Sequence, residues 1–78
     1  MNKELLEVIN QVRANKNLAK LSSYNAGDRL REEMGFESLD LAELTVRIEE
    51  KFNVDVFSDG LVESVGEIEA KLARTEKI

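Results

Sequence analysis

The 78-residue chain contains no cysteine, no histidine, no proline and no tryptophan. Without cysteine there is no disulfide framework and no thiolate metal site. Without histidine the usual general base and the commonest transition-metal ligand are missing. Absence of proline excludes a proline-rich linker and a collagen-like segment. No apolar run approaches the roughly 18 residues that a membrane span requires. The start of the chain, residues 1–7, carries Glu4 and Glu7 in place of a continuous apolar stretch, so no secretory signal is expected. The expectation is a soluble, cytoplasmic protein of one domain, residues 1–78. Its 42% apolar content suffices for one modest core and not for two layers around a buried active site.

The charge is unevenly spread. The net −5 comes from 11 basic and 16 acidic residues. Residues 1–36 carry +1, residues 64–78 carry 0, and residues 37–63 carry −6. The acids there are Glu37, Asp40, Glu43, Glu49, Glu50, Asp55, Asp59 and Glu63, against Arg47 and Lys51. Such a chain has no electrostatic footprint for nucleic acid or an anionic membrane. Partners with basic surfaces are expected instead.

Apolar spacing predicts a helix over 3–16, with Leu5, either Val8 or Ile9, Val12 and also Leu6 as inward candidates and Lys3, Glu4, Glu7, Asn10, Gln11 and Arg13 on the polar side. Asn2 suits its N-cap. Residues 17–36 are irregular, with Leu18, Leu21, Tyr24, Leu30, Met34 and Phe36 as candidates for the core. A helical turn or two is expected over 28–34, ended by Gly35 in a left-handed conformation. The clearest helix spans 38–52, with Ser38 as N-cap, Leu44, Ile48 and Phe52 as core positions, and Asn53 in the αL position after it. Residues 54–57 read as an extended connector, 58–60 as a turn and 61–63 as a short helical turn. Ser64 and Glu67 form a capping box opening a last helix that carries Val65, Ile68, Leu72 and, as a further candidate, Ala73 on one face and frays after Arg74. The sum is an all-α fold, a small bundle of three main helices and one short helix with a long first loop.

Parts for catalysis are missing. Ser38 has no histidine to activate it, and nothing suggests a lysine buried beside a second charge. The pairs Glu32-Glu33 and Glu49-Glu50 diverge on their helices and cannot flank a bond. Asp55, Asp59 and Glu63 lack the ligand ladder of a calcium loop. A non-catalytic protein with no metal is expected.

Residues 35–40, Gly-Phe-Glu-Ser-Leu-Asp, admit two readings. In one, Gly35 ends a turn, Phe36 packs and Ser38 caps the helix. In the other, Ser38 bears a phosphate ester, which free backbone N–H groups and the positive end of the helix dipole would stabilise. Taken with Leu41-Ala42-Glu43-Leu44, Ile48-Glu49-Glu50-Lys51-Phe52, Val54-Asp55-Val56 and Ser64-Val65-Gly66-Glu67-Ile68, the segment resembles the acyl carrier proteins over residues 28–73.

That resemblance implies a four-helix carrier with 4′-phosphopantetheine attached through a phosphodiester to Ser38. Acyl groups ride on its terminal thiol as thioesters, so the reactive sulfur arrives with the cofactor. It also implies partners: a phosphopantetheinyl transferase (a holo-acyl carrier protein synthase) and acyl or aminoacyl ligases and synthases with basic docking patches. Glu37, Leu39, Asp40, Glu43, Val46, Glu49 and Glu50 stand at positions matching the family's recognition surface, and the carrier is expected to be a monomer. The sequence departs from the family pattern at Glu37 (usually aspartate), Thr45 (often apolar), Arg47 and Lys51 (usually a more acidic face) and Phe57 (near the place of a common proline). Those departures leave fatty-acid synthesis and specialised pathways (polyketide, aminoacyl or peptidyl, glycan acylation) open. The competing class is an acidic helical interaction module in which Ser38 is only an N-cap.

Overall fold

Three of the expected helices form in the computed structural model, which describes residues 1–58 and 60–76. They are α1 (Lys3–Asn15), α2 (Ser38–Phe52) and α3 (Val65–Glu76). Asn2 caps α1, its Oδ1 accepting the Leu5 N–H at 3.0 Å. Asn53 ends α2 in the αL conformation, its N–H donating to the Glu49 carbonyl, as its position after the last apolar residue suggests. α1 and α2 lie directly against each other. Leu5, Val8, Ile9 and Val12 of α1 meet Leu44 and Ile48 of α2, and α3 closes the core with Val65, Ile68 and Leu72.

The long loop between α1 and α2 belongs to that core. Tyr24, Leu30, Met34 and Phe36 are buried. The radius of gyration, 11.5 Å, equals the ~11.5 Å expected of a fully collapsed chain of this length, so the loop lies on the helices and not away from them. The Tyr24 hydroxyl accepts the Asn2 N–H at 2.8 Å and donates to the Glu69 carboxylate, tying the start of α1 to α3. Burial, and then that carboxylate, push the phenol up to about 12. It therefore remains a donor throughout the neutral range.

The fourth, short helix does not form among the described residues. Residues 61–63 form no helical turn because the backbone beside them pairs with the loop. The Leu30 N–H donates to the Glu63 carbonyl and the Val65 N–H to the Asp28 carbonyl, both at 2.9 Å, around a bridge between Arg29 and Ser64. A helical 61–63 would turn these groups inward to one another. Over 28–34 there is a single turn, in which the Glu33 and Met34 N–H groups share the Arg29 carbonyl. Gly35 follows at φ +79°, the left-handed conformation that glycine adopts without penalty.

Residues 54 and 55 carry no regular secondary structure, and the turn comes early, at 56–58, where Asp55 Oδ1 accepts the Phe57 N–H. Asp59, in the turn expected at 58–60, lies outside the described residues. The capping box at α3 is altered: Ser64 Oγ accepts the Glu67 N–H at 3.3 Å, while the Glu67 carboxylate returns to the Glu63 N–H. α3 runs to Glu76, past the expected fraying at Arg74, and Ala73 on it proves exposed. Phe52 is half-buried against the core and not within it.

One side chain placed on the polar side of α1 by its spacing is buried. Arg13 donates from Nε to the Ala19 carbonyl at 3.1 Å and from Nη1 to the Met34 carbonyl at 2.7 Å. Flanking it, Asn10 brackets Leu21, accepting its N–H and donating to its carbonyl, both at 2.9 Å. Lys16 Nζ reaches the Gly35 carbonyl at 2.9 Å. A polar row on α1 and its C-cap, Lys16, thus grips the loop backbone at four residues.

Two substitutions test this frame. A Cβ on Gly66 would lie 2.7 Å from the Ala26 carbonyl oxygen, which accepts the Gly66 N–H at 2.8 Å. Alanine normally favours a helix over glycine by about 1 kcal/mol; here overpacking wins, and Gly66→Ala should destabilise by roughly 1–3 kcal/mol in denaturant melts. Gly27→Ala, with nothing within 4 Å of the added atom, is the control and should be close to neutral. Arg13→Met should cost roughly 1–3 kcal/mol by leaving loop carbonyls unpaired, with the largest amide chemical-shift changes at Ala19 and Met34.

Candidate functional site

Ser38 is the first residue of α2 and is exposed. It is not the N-cap. Glu37 holds that position, in extended conformation, and its N–H donates to Asp40 Oδ2 at 2.8 Å. The chain can therefore spend a different residue on the cap, because a carboxylate three residues into the helix reaches back to the capping N–H as the glutamate of a capping box does. The first intrahelical bond runs from the Leu41 N–H to the Glu37 carbonyl. The Ser38 hydroxyl is left for other use. Its hydrogen bond within the protein comes from Arg31 Nη2, at 3.3 Å.

Lys16 organises the segment leading into the helix. Its ammonium group is 2.6 Å from Asp40 Oδ2 and 3.7 Å from Glu37 Oε2, in addition to holding the Gly35 carbonyl. The hydrogen bond to Asp40 raises Lys16 above its ordinary value, and the same bond, helped by the Glu37 N–H, lowers Asp40 below the usual carboxylate range. Nothing in the spacing of residues 16 and 40 signals this pair. The approach of the loop to the end of α1 creates it.

The seven residues matching a recognition surface divide into two groups. Leu39 (83% exposed) and Val46 (58% exposed) stand out in solvent, and Glu37, Glu49 and Glu50 are exposed with them. Two exposed aliphatic side chains thus stand amid acids on one helix. Asp40 and Glu43 are committed internally. The Asp40 side chain is 16% exposed, and the Glu43 carboxylate accepts from Asn15 Nδ2 at 2.6 Å and Arg47 Nε at 2.8 Å.

The cations that interrupt the acidic helix face α1. Arg47 Nη1 donates to Gln11 Oε1 at 3.3 Å, and Lys51 pairs with Glu7 at 3.1 Å. They fasten α2 to α1 and leave Glu49 and Glu50 outward. The Thr45 hydroxyl is satisfied by the Leu41 carbonyl at 2.9 Å, within its own helix. Beside Ser38 opens a groove of about 220 Å3 lined by Arg31, Leu41, Ala42, Thr45, Phe57 and Leu61. Leu61, 90% exposed, carries no periodic signal in the sequence and takes this place through the path of the non-helical 61–63 segment.

The Lys16–Asp40 pair has a pH signature. Asp40's folded value is depressed, so the stability it contributes is present above the unfolded value of ~3.9 and is lost as pH falls through the lower folded value. Lys16's raised value leaves its contribution intact throughout neutral pH. Asp40→Asn should lower Tm at neutral pH, and its melting curve should converge with that of the wild type as pH falls below the ordinary carboxylate range. A gap of constant size down to strongly acid pH would show that charge pairing is not its source.

The family model described as the phosphopantetheine attachment site matches residues 18–72, a span that holds the loop, Ser38, all of α2 and most of α3. No curated protein and no solved structure matches the chain. Among the described residues no helix is long and apolar enough to cross a membrane, and the exposed face of α2 and the groove beside its first turn lie within the matched span. The protein belongs to the phosphopantetheine attachment site family and is a carrier domain, of acyl carrier protein type, for covalently bound 4′-phosphopantetheine.

Proposed function

We propose that Ser38 is the residue that bears the group, and that the chain, as one carrier domain over residues 1–78, passes acyl intermediates between the enzymes of a fatty-acid or specialised acylation pathway. The observation that carries this reading is the position of Ser38: exposed on the first turn of α2, inside the matched span, and released from capping by Glu37 and Asp40. The residues present suit the group. The hydroxyl is accessible, the amides of the first turn and the helix dipole favour an anion beside it, and the groove next to it offers Leu41, Ala42, Phe57 and Leu61 to an extended arm. When bound, the group supplies the thiol on which acyl groups are carried as thioesters.

The chain's own part is to tether, orient and be recognised. Lys16 and the capping carboxylates hold the approach to Ser38 in one conformation. Glu37, Leu39, Val46, Glu49 and Glu50 form the surface offered to partner enzymes with basic patches: a phosphopantetheinyl transferase and acyl- or aminoacyl-processing enzymes. Exposed acids of this kind act more on association rate than on affinity. Asp40 and Glu43 contribute through the shape they give the helix start and flank. Bond-making belongs to the partners, since the chain has no histidine or cysteine. The same reading makes it a cytoplasmic monomer. Glu37, in the place usually held by aspartate, supports a transferase adapted to this carrier and a specialised pathway.

Intact mass after incubation with coenzyme A and a broad-specificity phosphopantetheinyl transferase tests the assignment. The wild type should gain one phosphopantetheinyl group and Ser38→Ala none. Because Ser38 is not the cap, the substitution should change stability by no more than about 0.5 kcal/mol, so lost loading cannot be ascribed to unfolding. A wild type that stays unmodified beside a carrier that is modified would favour the interaction-module reading.

A further inference from the structure

Arg31 is not part of the family pattern on which the sequence reading rests, and its surroundings set it apart from the neighbouring cations. Arg29 is paired with Glu32 and Glu63, Arg47 with Glu43, Lys51 with Glu7, and Lys16 with Asp40 and Glu37. Arg31 has no carboxylate within 4.0 Å among the described residues, and its guanidinium is directed at Ser38 Oγ. Its backbone is well anchored: Leu30, immediately before it, is buried, donates to the Glu63 carbonyl and accepts from the Phe36 N–H at 3.0 Å. An exposed, uncompensated arginine thus projects from a fixed turn onto the one hydroxyl at which a phosphodiester is proposed to form.

We infer that Arg31 is a phosphate-binding residue that holds the phosphodiester on Ser38; this rests on Ser38 being the attachment residue. The guanidinium fork matches two nonbridging phosphate oxygens, a geometry a lysine cannot reproduce. The need for it is electrostatic. The phosphodiester adds a negative charge beside Glu37 and Asp40, and Lys16, which faces both acids, is already engaged by them. Arg31, directed at Ser38 Oγ, supplies the missing positive charge. It also lines the groove with Leu41, Phe57 and Leu61, so pairing with the phosphate fixes the root of the arm at the mouth of that groove and limits its swing into solvent.

The test uses the full chain loaded with phosphopantetheine, with peptide mapping by mass to establish the modified residue before anything else is compared. The readouts are the 31P resonance of the loaded protein at increasing salt and the Tm difference between loaded and unloaded forms, for wild type, Arg31→Gln and Arg31→Lys. In Arg31→Gln the 31P resonance should shift and narrow, and loading should raise Tm by about half as much as in the wild type, or less. Rising salt should move the wild-type resonance toward the Gln variant, and Arg31→Lys should fall between them. Loading at Ser38 with the same 31P resonance and Tm increment in wild type and Arg31→Gln would overturn the inference. Slower loading of Arg31→Gln with an unchanged 31P resonance would also overturn it, making Arg31 a contact for the transferase. Loading at another residue, or none, would refute the Ser38 assignment first and the role of Arg31 with it, and the mass map separates that failure from the others.

Discussion

The grip of α1 on the loop is the constraint from which the site follows. Residues 16–37 must cross from the end of one helix to the start of the next with neither proline to restrict the backbone nor a disulfide to staple it. Ordering each such residue costs about 1–2 kcal/mol of backbone entropy. Part of that is offset by burying Tyr24, Leu30, Met34 and Phe36. The rest of the geometry is set by Asn10, Arg13 and Lys16, which place Leu21, Ala19, Met34 and Gly35 relative to α1 through side-chain bonds to backbone groups. The last of these contacts falls three residues before Ser38, so the helix that shows no motif of the family nonetheless aims the serine.

The acidic middle of the chain has two jobs, and the structure divides its residues between them. Asp40 pairs with Lys16, just past the end of α1, and Glu43 accepts from Asn15 of α1 and pairs with Arg47 of α2, so both hold the helix start and flank in place. Glu37, Glu49 and Glu50 remain exposed. The sequence shows one charge block, because the number of acids says nothing about which of them meet a cation across the chain. Arg47 and Lys51, which look like interruptions of the acidic helix, turn out to fasten it to α1.

Residues whose role is local were legible in the sequence. Asn2, Asn53 and Gly35 act as cap, αL terminus and left-handed turn because those roles depend on the residue's own backbone preference and its nearest neighbours. Leu44, Ile48, Val65, Ile68 and Leu72 are inward because helical period alone decides it. Reading failed where a distant backbone competed for the same groups. Residues 61–63 are apolar enough for a helical turn, yet the loop's Asp28 and Leu30 claim the backbone groups of Glu63 and Val65. Ser38 has a good capping side chain, yet Glu37 and Asp40 take the cap, assisted by a lysine 24 residues away. Gly66 reads as an ordinary, slightly unfavourable helix residue, whereas the closeness of Ala26 requires it.

By itself the sequence determined the helical periods, the acidic block, the absence of cysteine and histidine, and the resemblance to the carrier family. All of these are properties of residue type and short-range spacing. Only the tertiary structure decided that Arg13 is buried, that Lys16 neutralises Asp40, that Arg31 faces Ser38 and that Leu61 joins Phe57 along a groove. Each of these depends on where the irregular loop and the 61–63 segment lie, and a loop without periodicity carries no signal of its contacts until the core and the side chains of α1 have fixed its path.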